Sequence, residues 1–303
     1  MEHVVFFSGG SASWYVAETV KERHGADNLH LLFTDTLIED WDLYRFMIET
    51  AADLYDVPKS DVEPLIQSAK DLTPVHVDID ERKSQLEVLA DKVRATFPRF
   101  HWLSNGKSVW DIFYDGNFLG NSRIAPCSSV IKQKLADKYV STVFDSDDTT
   151  LYLGIDWTEI HRTKAPTENW APYKVEFPLC DEPYVNKVDI VKALDEKGID
   201  LPRLYGMGFA HNNCGGFCVR GGQGHFANLL EKDRELFLWH EKQEQEFREY
   251  IGKDVSILRK QRNGERFNYT LRDLRADVEG GADDEVDYAD IGGCGCFVTD
   301  ISS

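Results

Sequence analysis

Long apolar runs are missing from this chain. None approaches the roughly 18 residues that a membrane-crossing helix needs, so no transmembrane segment is expected. An excess of positive charge is missing too. The chain carries 34 Lys and Arg against 53 Asp and Glu, a formal net charge of −19. That balance argues against holding nucleic acid by general charge attraction, although a local basic patch stays open, and its plainest use is solubility. There is no Gly-Lys-Ser/Thr and hence no Walker loop, and no dinucleotide-binding Gly-x-Gly-x-x-Gly. No His-Glu-x-x-His, no Ser-His-Asp grouping and no internal repeat can be read. The first apolar run begins at Val4, which leaves no room for a signal peptide; a cytoplasmic location is expected. Cysteine is scarce, with six residues. In a cytoplasmic chain their clustering suggests metal or redox chemistry rather than disulfides.

What is present begins with Val4-Val5-Phe6-Phe7-Ser8-Gly9-Gly10-Ser11-Ala12-Ser13. Four apolar residues run into a Gly-Ser loop, and a helical pattern follows through Val20. This predicts a strand buried on both faces, a tight loop and a helix N-terminus. Gly9 and Gly10 let backbone N–H groups approach a ligand, and Ser8, Ser11 and Ser13 add hydroxyls. The first helical turn adds unpaired N–H groups and a partial positive charge, so the stretch reads as a phosphate cradle. A plain Gly-Ser turn is the bland alternative.

With 303 residues and 42% apolar content, the chain suits one large α/β domain or one domain with an appendage. Further strands are expected at Leu29–Thr34, Leu72–Asp78 and Leu151–Ile155. Helices are expected at Trp41–Tyr55, Lys83–Phe97, Asn186–Lys197, Gly222–Leu230 and Asp233–Ile251, the last on the surface. A further helix, capped by Ser128 or Ser129, should run to Val140. The aromatic stretch Phe97–Gly120 reads as a loop-rich insertion, and the acidic stretch 280–290 as mobile. The alternation predicts an α/β fold: a doubly wound, mostly parallel, Rossmann-like sheet with a helical, Cys-containing C-terminal part. The division expected is 1–200 for the nucleotide-binding domain and 201–303 for the rest.

Ser8-Gly9-Gly10-Ser11-Ala12-Ser13 resembles the PP-loop, Ser-Gly-Gly-x-Asp-Ser, of the adenine nucleotide alpha hydrolase superfamily, with Ala12 in place of Asp. Leu31 to Phe46 resembles the pattern of the phosphoadenosine phosphosulfate (PAPS) reductases in that superfamily. The resemblance puts Asp35 and Thr36 beside the nucleotide; a helix cap is the alternative reading. Arg123, Cys127 and Lys132 are similar to the family's Arg-x-Cys-x-x-x-x-Lys segment, with three residues rather than one between Arg123 and Cys127. Gly154, Glu159 and Arg162 match Gly-x-Arg-x-x-Glu-x-x-Arg, with Asp156 replacing the first Arg. Phe177-Pro178-Leu179 looks like the strand that closes the family's sheet. The resemblance spans roughly residues 3 to 240. It implies that Arg123, Lys132 and Arg162 hold a phosphate or sulfate.

The cysteines allow several readings. Cys127, Cys214 and Cys218 match three of the four positions that hold a 4Fe–4S cluster in adenylylsulfate reductases, and Cys294 or Cys296 would complete the set. Alternatively Cys214, Cys218, Cys294 and Cys296 form a Zn²⁺ site. A third reading makes a tail thiolate, Cys296, a nucleophile or sulfur carrier. Cys180 reads as a core residue.

Two enzyme classes follow. One is an ATP pyrophosphatase with Mg²⁺ that activates an acceptor for sulfur transfer, with a sulfur-donor protein and a nucleic-acid acceptor as possible partners. The other is a reductase of activated sulfate that uses a tail cysteine. A non-catalytic nucleotide- or partner-binding subunit is the third reading. A homo-oligomer is compatible with each.

Overall fold

The computed structural model describes residues 1–262 and 264–293, apart from the side chains of residues 262 and 283. At its centre is β1 (Glu2–Phe6), where Val4, Val5 and Phe6 are all buried. Their side chains alternate between two cores, as a strand covered on both faces requires. Val5 and Phe7 join one core, and Val4 and Phe6 the other.

The chain continues through α1 (Ser11–His24), β2 (Leu29–Thr34), α2 (Trp41–Leu54), α3 (Lys59–Lys70), α4 (Ile79–Thr96) and β3 (Phe100–Leu103). It then forms α5 (Val109–Gly116), a π-helical stretch Ser128–Lys134, α6 (Leu135–Val143), β4 (Thr149–Tyr152), α7 (Lys164–Asn169), β5 (Lys174–Glu176) and α8 (Lys187–Glu196). The five strands are parallel, in the order β3-β2-β1-β4-β5. Val5 pairs with Leu31 of β2 and Tyr152 of β4. Helices α1 to α4 and α8 cover one face, and α6 covers the other. The strand order reverses between β1 and β4, so the loops after these strands flank the crevice where doubly wound sheets bind ligands.

Beyond the sheet come α9 (Arg203–Gly206), α10 (Gln223–Lys232), α11 (Arg234–Ile251), an antiparallel hairpin of β6 (Leu258–Arg262) and β7 (Glu265–Tyr269), and α12 (Leu271–Glu279). They share a second apolar core with α5. No helix among the described residues is long and apolar enough to cross a membrane.

Several expectations are corrected. Residues 72–78 form no strand. Val77 N–H donates to the Pro74 carbonyl at 2.9 Å, a turn, and the Asp78 carboxylate caps α4 at Asp80 and Glu81. The third strand is β3, inside the aromatic stretch, where Phe100 and Trp102 alternate inward and β-favouring aromatics pack on the sheet. The same stretch holds α5, opened by a capping box of Ser108 and Asp111.

The closing strand is Lys174–Glu176 rather than 177–179; Pro178, which lacks an N–H, starts a 3₁₀ turn. Neither Ser128 nor Ser129 caps a helix. Cys127 is already helical, and both hydroxyls are buried with no hydrogen-bond partner among the described residues. Helix α11 is not a purely surface element, because Leu236, Phe237 and Phe247 are buried in the second core.

Candidate functional site

The β1–α1 loop has the expected geometry. Gly9 has a φ of +75°, and a Cβ there would fall 2.7 Å from Leu43 Cγ, so both backbone and packing call for glycine. Gly10 is the N-cap of α1, with no capping side chain and no acid in the first turn. The N–H groups of Ser11, Ala12 and Ser13 have no protein acceptor among the described residues. By contrast, side chains of Asp40, Asp78, Ser108, Asp233 and Thr270 cap α2, α4, α5, α11 and α12. Ser13 is buried, and its hydroxyl donates to the Gly10 carbonyl at 2.8 Å, stiffening the loop. The Ser8 and Ser13 hydroxyls lie 3.3 Å apart. Across the crevice, a Cβ on Gly154 would lie 3.3 Å from Ser13 N, so the end of β4 closes tightly on the first turn of α1.

Asp35 and Thr36 occupy the end of β2, both buried. Asp35 braces the loop. Its Oδ1 accepts from Leu37 N–H and the Tyr44 hydroxyl, each at 2.8 Å, and its Oδ2 accepts from Trp102 Nε1 at 3.0 Å. Burial pushes its pKa up, against these donors. Thr36 donates to Glu39 Oε1 at 2.9 Å.

The cysteine turn lies on these loops. Asn212 Nδ2 donates to the Gly9 carbonyl at 3.0 Å. Cys214 N–H donates to Glu39 Oε2. Gly215, at φ +59°, comes so close to the β2–α2 connection that a Cβ would lie 2.3 Å from the Ile38 carbonyl oxygen. Tyr205 also reaches in: a Cβ on Gly10 would be 3.3 Å from its hydroxyl. Thus residues some 200 positions apart in sequence, at Gly9 and Asn212, meet at one sheet edge.

Glu39 sits at the centre of this contact. Burial pushes its pKa up to about 7, while the Lys132 ammonium pulls it down and Asp35 pushes it further up. Lys132 is itself buried. His211 is pushed down to about 4 by burial, then by His225 and Lys132. The Asn212 Oδ1 and His211 Nδ1 atoms are buried with no partner among the described residues. From sequence, His211 and His225 flank the cysteine pair and could join it, with packing in a turn the plainer role; the structure buries both rings. Glu39 escaped the sequence reading, because it belongs to no motif and its role depends on long-range placement beside Lys132.

The other expected residues are spread around this edge. Arg162 forms an ion pair with Glu159 on the 3₁₀ segment after β4. Arg123 is exposed, on a basic pocket formed with the β6–β7 hairpin. Cys127, Cys214 and Cys218 are buried, the first two in one apolar core. Cys180 is half-buried, and its thiol donates to the Ile155 carbonyl at 3.3 Å. Cys294 and Cys296 lie outside the described residues. Among the described residues, no three His, Cys, Asp or Glu side chains are grouped to hold a metal ion.

A larger groove, of about 880 Å³, runs along the open edge of β3 between α4 and α6. It includes Asp35 but no residue of the β1–α1 loop. No protein-family model matches the chain, and no curated protein matches it.

Proposed function

We propose that the chain binds the phosphates of ATP or a related adenine nucleotide on the β1–α1 loop and cleaves it at the α-phosphate to activate an acceptor for sulfur transfer. One observation carries this reading. The uncapped N–H groups of Ser11, Ala12 and Ser13 sit at the strand-order reversal of a parallel sheet, between Gly9 and Gly154. Such donors stabilise charge that builds on a phosphate oxygen without reorganising.

The loop offers no carboxylate of its own for Mg²⁺, since Ala12 replaces an acid, and Asp35 already accepts three protein donors. Mg²⁺ would therefore be held mainly through the nucleotide's phosphates. Asn212 and the Cys214 backbone N–H bring the cysteine turn onto the loops of the proposed nucleotide site. Cys127, Cys214 and Cys218 are buried, and the thiols that would complete a 4Fe–4S or Zn²⁺ site, Cys294 and Cys296, lie outside the described residues.

Pyrophosphate release from ATP with Mg²⁺ tests the reaction. Nucleotide binding without release, across all acceptors tried, would leave the nucleotide-binding-subunit reading in its place. Metal analysis of anaerobically purified protein tests the cysteines. Iron and sulfide that persist in the Cys214→Ser variant would remove that thiol from the ligand set.

A further inference from the structure

We infer that the pocket between the β6–β7 hairpin and the 221–222 turn binds a phosphate group, carried on a nucleic-acid strand or free in solution. The pocket is about 220 Å³ and is lined by Arg123, Arg259, Arg266, the backbone of Gly221 and Gly222, and Asp290, among others. Arg123, Arg259 and Arg266 are exposed, and none makes an ion pair with a carboxylate among the described residues.

Other arginines of this acidic chain are neutralised by carboxylates. Arg45 pairs with Asp42 and Glu49, Arg203 with Asp40, and Arg275 with Glu241 and Glu279. Lys260, also on the pocket, is held by Asp277 at 3.0 Å and Glu285 at 2.7 Å, and adds little net charge there. Three arginines that line one pocket, none of them held in an ion pair among the described residues, leave planar forks suited to phosphate oxygens.

Asp290 marks where the anion would sit. Its Oδ2 accepts from Gln223 N–H at 3.3 Å, so an internal carboxylate already stands on the pocket rim. The size sets the ligand. At about 220 Å³ the pocket is below the roughly 300–1,000 Å³ of sites that enclose whole small molecules. It suits one phosphate group, with the rest of the ligand outside. The net charge of −19 opposes a polyanion at long range, so binding here would be local and steeply salt-dependent. The inference does not rest on the nucleotide reading, since Arg259 and Arg266 belong to the hairpin.

The test is anisotropy of a fluorescein-labelled single-stranded oligonucleotide at low salt, with inorganic phosphate as competitor and stabiliser in thermal melts. The Arg259→Glu/Arg266→Glu variant should weaken oligonucleotide binding at least about tenfold and flatten its salt dependence. Asp290→Asn should tighten it. If phosphate alone binds and the double variant abolishes it, the source is the free anion. If the strand binds and phosphate fails to displace it, the source is the strand. Absence of binding to both probes, or wild-type affinity for both in a folded double variant, overturns the inference.

Discussion

Among the described residues, two helices begin on a glycine N-cap that offers no side chain and have no acid in the first turn: α1 at Gly10 and α10 at Gly222. Their ends are finished differently. At α10, residue 290 arrives from the C-terminal stretch. Its carboxylate accepts from Gln223 N–H, and its carbonyl accepts from Gly224 N–H at 2.9 Å. At α1 no described residue does the same for Ser11 to Ser13. The described residues thus supply an internal anion for one glycine-started helix and none for the other. The open end lies at the strand-order reversal of the sheet. A helix end becomes a site through what the rest of the fold withholds from it, as much as through its own sequence.

The largest effect should come from giving α1 an anion of its own. Gly10→Asp places a carboxylate where nucleotide phosphates would sit, at an N-cap whose φ of −98° accepts any residue. Calorimetry should show no nucleotide binding while circular dichroism stays native. Unchanged affinity would sink the cradle.

The next effect concerns Glu39, which holds the cysteine turn through Cys214 N–H. Glu39 is raised from 4.5 to about 7, chiefly by burial. Between those values the folded chain binds more protons than the unfolded one, so stability falls as pH rises through the window and levels off above it. The shift corresponds to on the order of 3 kcal/mol. Glu39→Gln should flatten this part of the pH–stability profile, read by urea denaturation. Glu244, also raised to about 7, would keep its own share of the slope. A profile identical to wild type would remove Glu39 from the account.

At the other helix, Gly222→Ala would put a Cβ 2.1 Å from Asp290 Oδ1 and force the C-terminal stretch away. A loss of about 2 kcal/mol is expected, with faster proteolysis near residue 290. The smallest effect is Asp290→Asn, which keeps the shape and removes the charge. It should cost about 0.5 kcal/mol in thermal melts at low salt and less at high salt. Neither change should alter nucleotide affinity. If either did, the two helix ends would not be independent.

Much of the sheet could be read from sequence because local signals and tertiary context agree there. Val4 to Phe7 is apolar on both faces, and a central parallel strand is what such a run forms. Gly9 and Gly10 mark the loop for the same local reason. The third strand was misplaced because Leu72–Asp78 carries apolar residues, yet Pro74 and Asp78 commit it to a turn and a cap. Phe100 to Leu103 hid in an aromatic stretch that reads equally as a loop. The β6–β7 hairpin did leave a trace, since Asn263-Gly264 is a strong turn dipeptide, but the flanking strands are too polar to announce themselves.

Of the candidate site, Ser8 to Ser13 and Gly154 were legible because each sits at a strand end. Glu39 and Asn212 were not. They matter only because the 211–216 segment folds back onto loops encoded nearly two hundred residues earlier, and single-sequence spacing carries no record of that contact.

The central claim is that nucleotide phosphates bind the open end of α1 and not the filled end of α10. Amide hydrogen exchange, with and without ATP and Mg²⁺, tests it directly. The account predicts new protection across residues 9–14, centred on the N–H groups of Ser11 to Ser13, and none across residues 222–226. Protection at 222–226 alone, or none at 9–14 under saturating nucleotide, would contradict it.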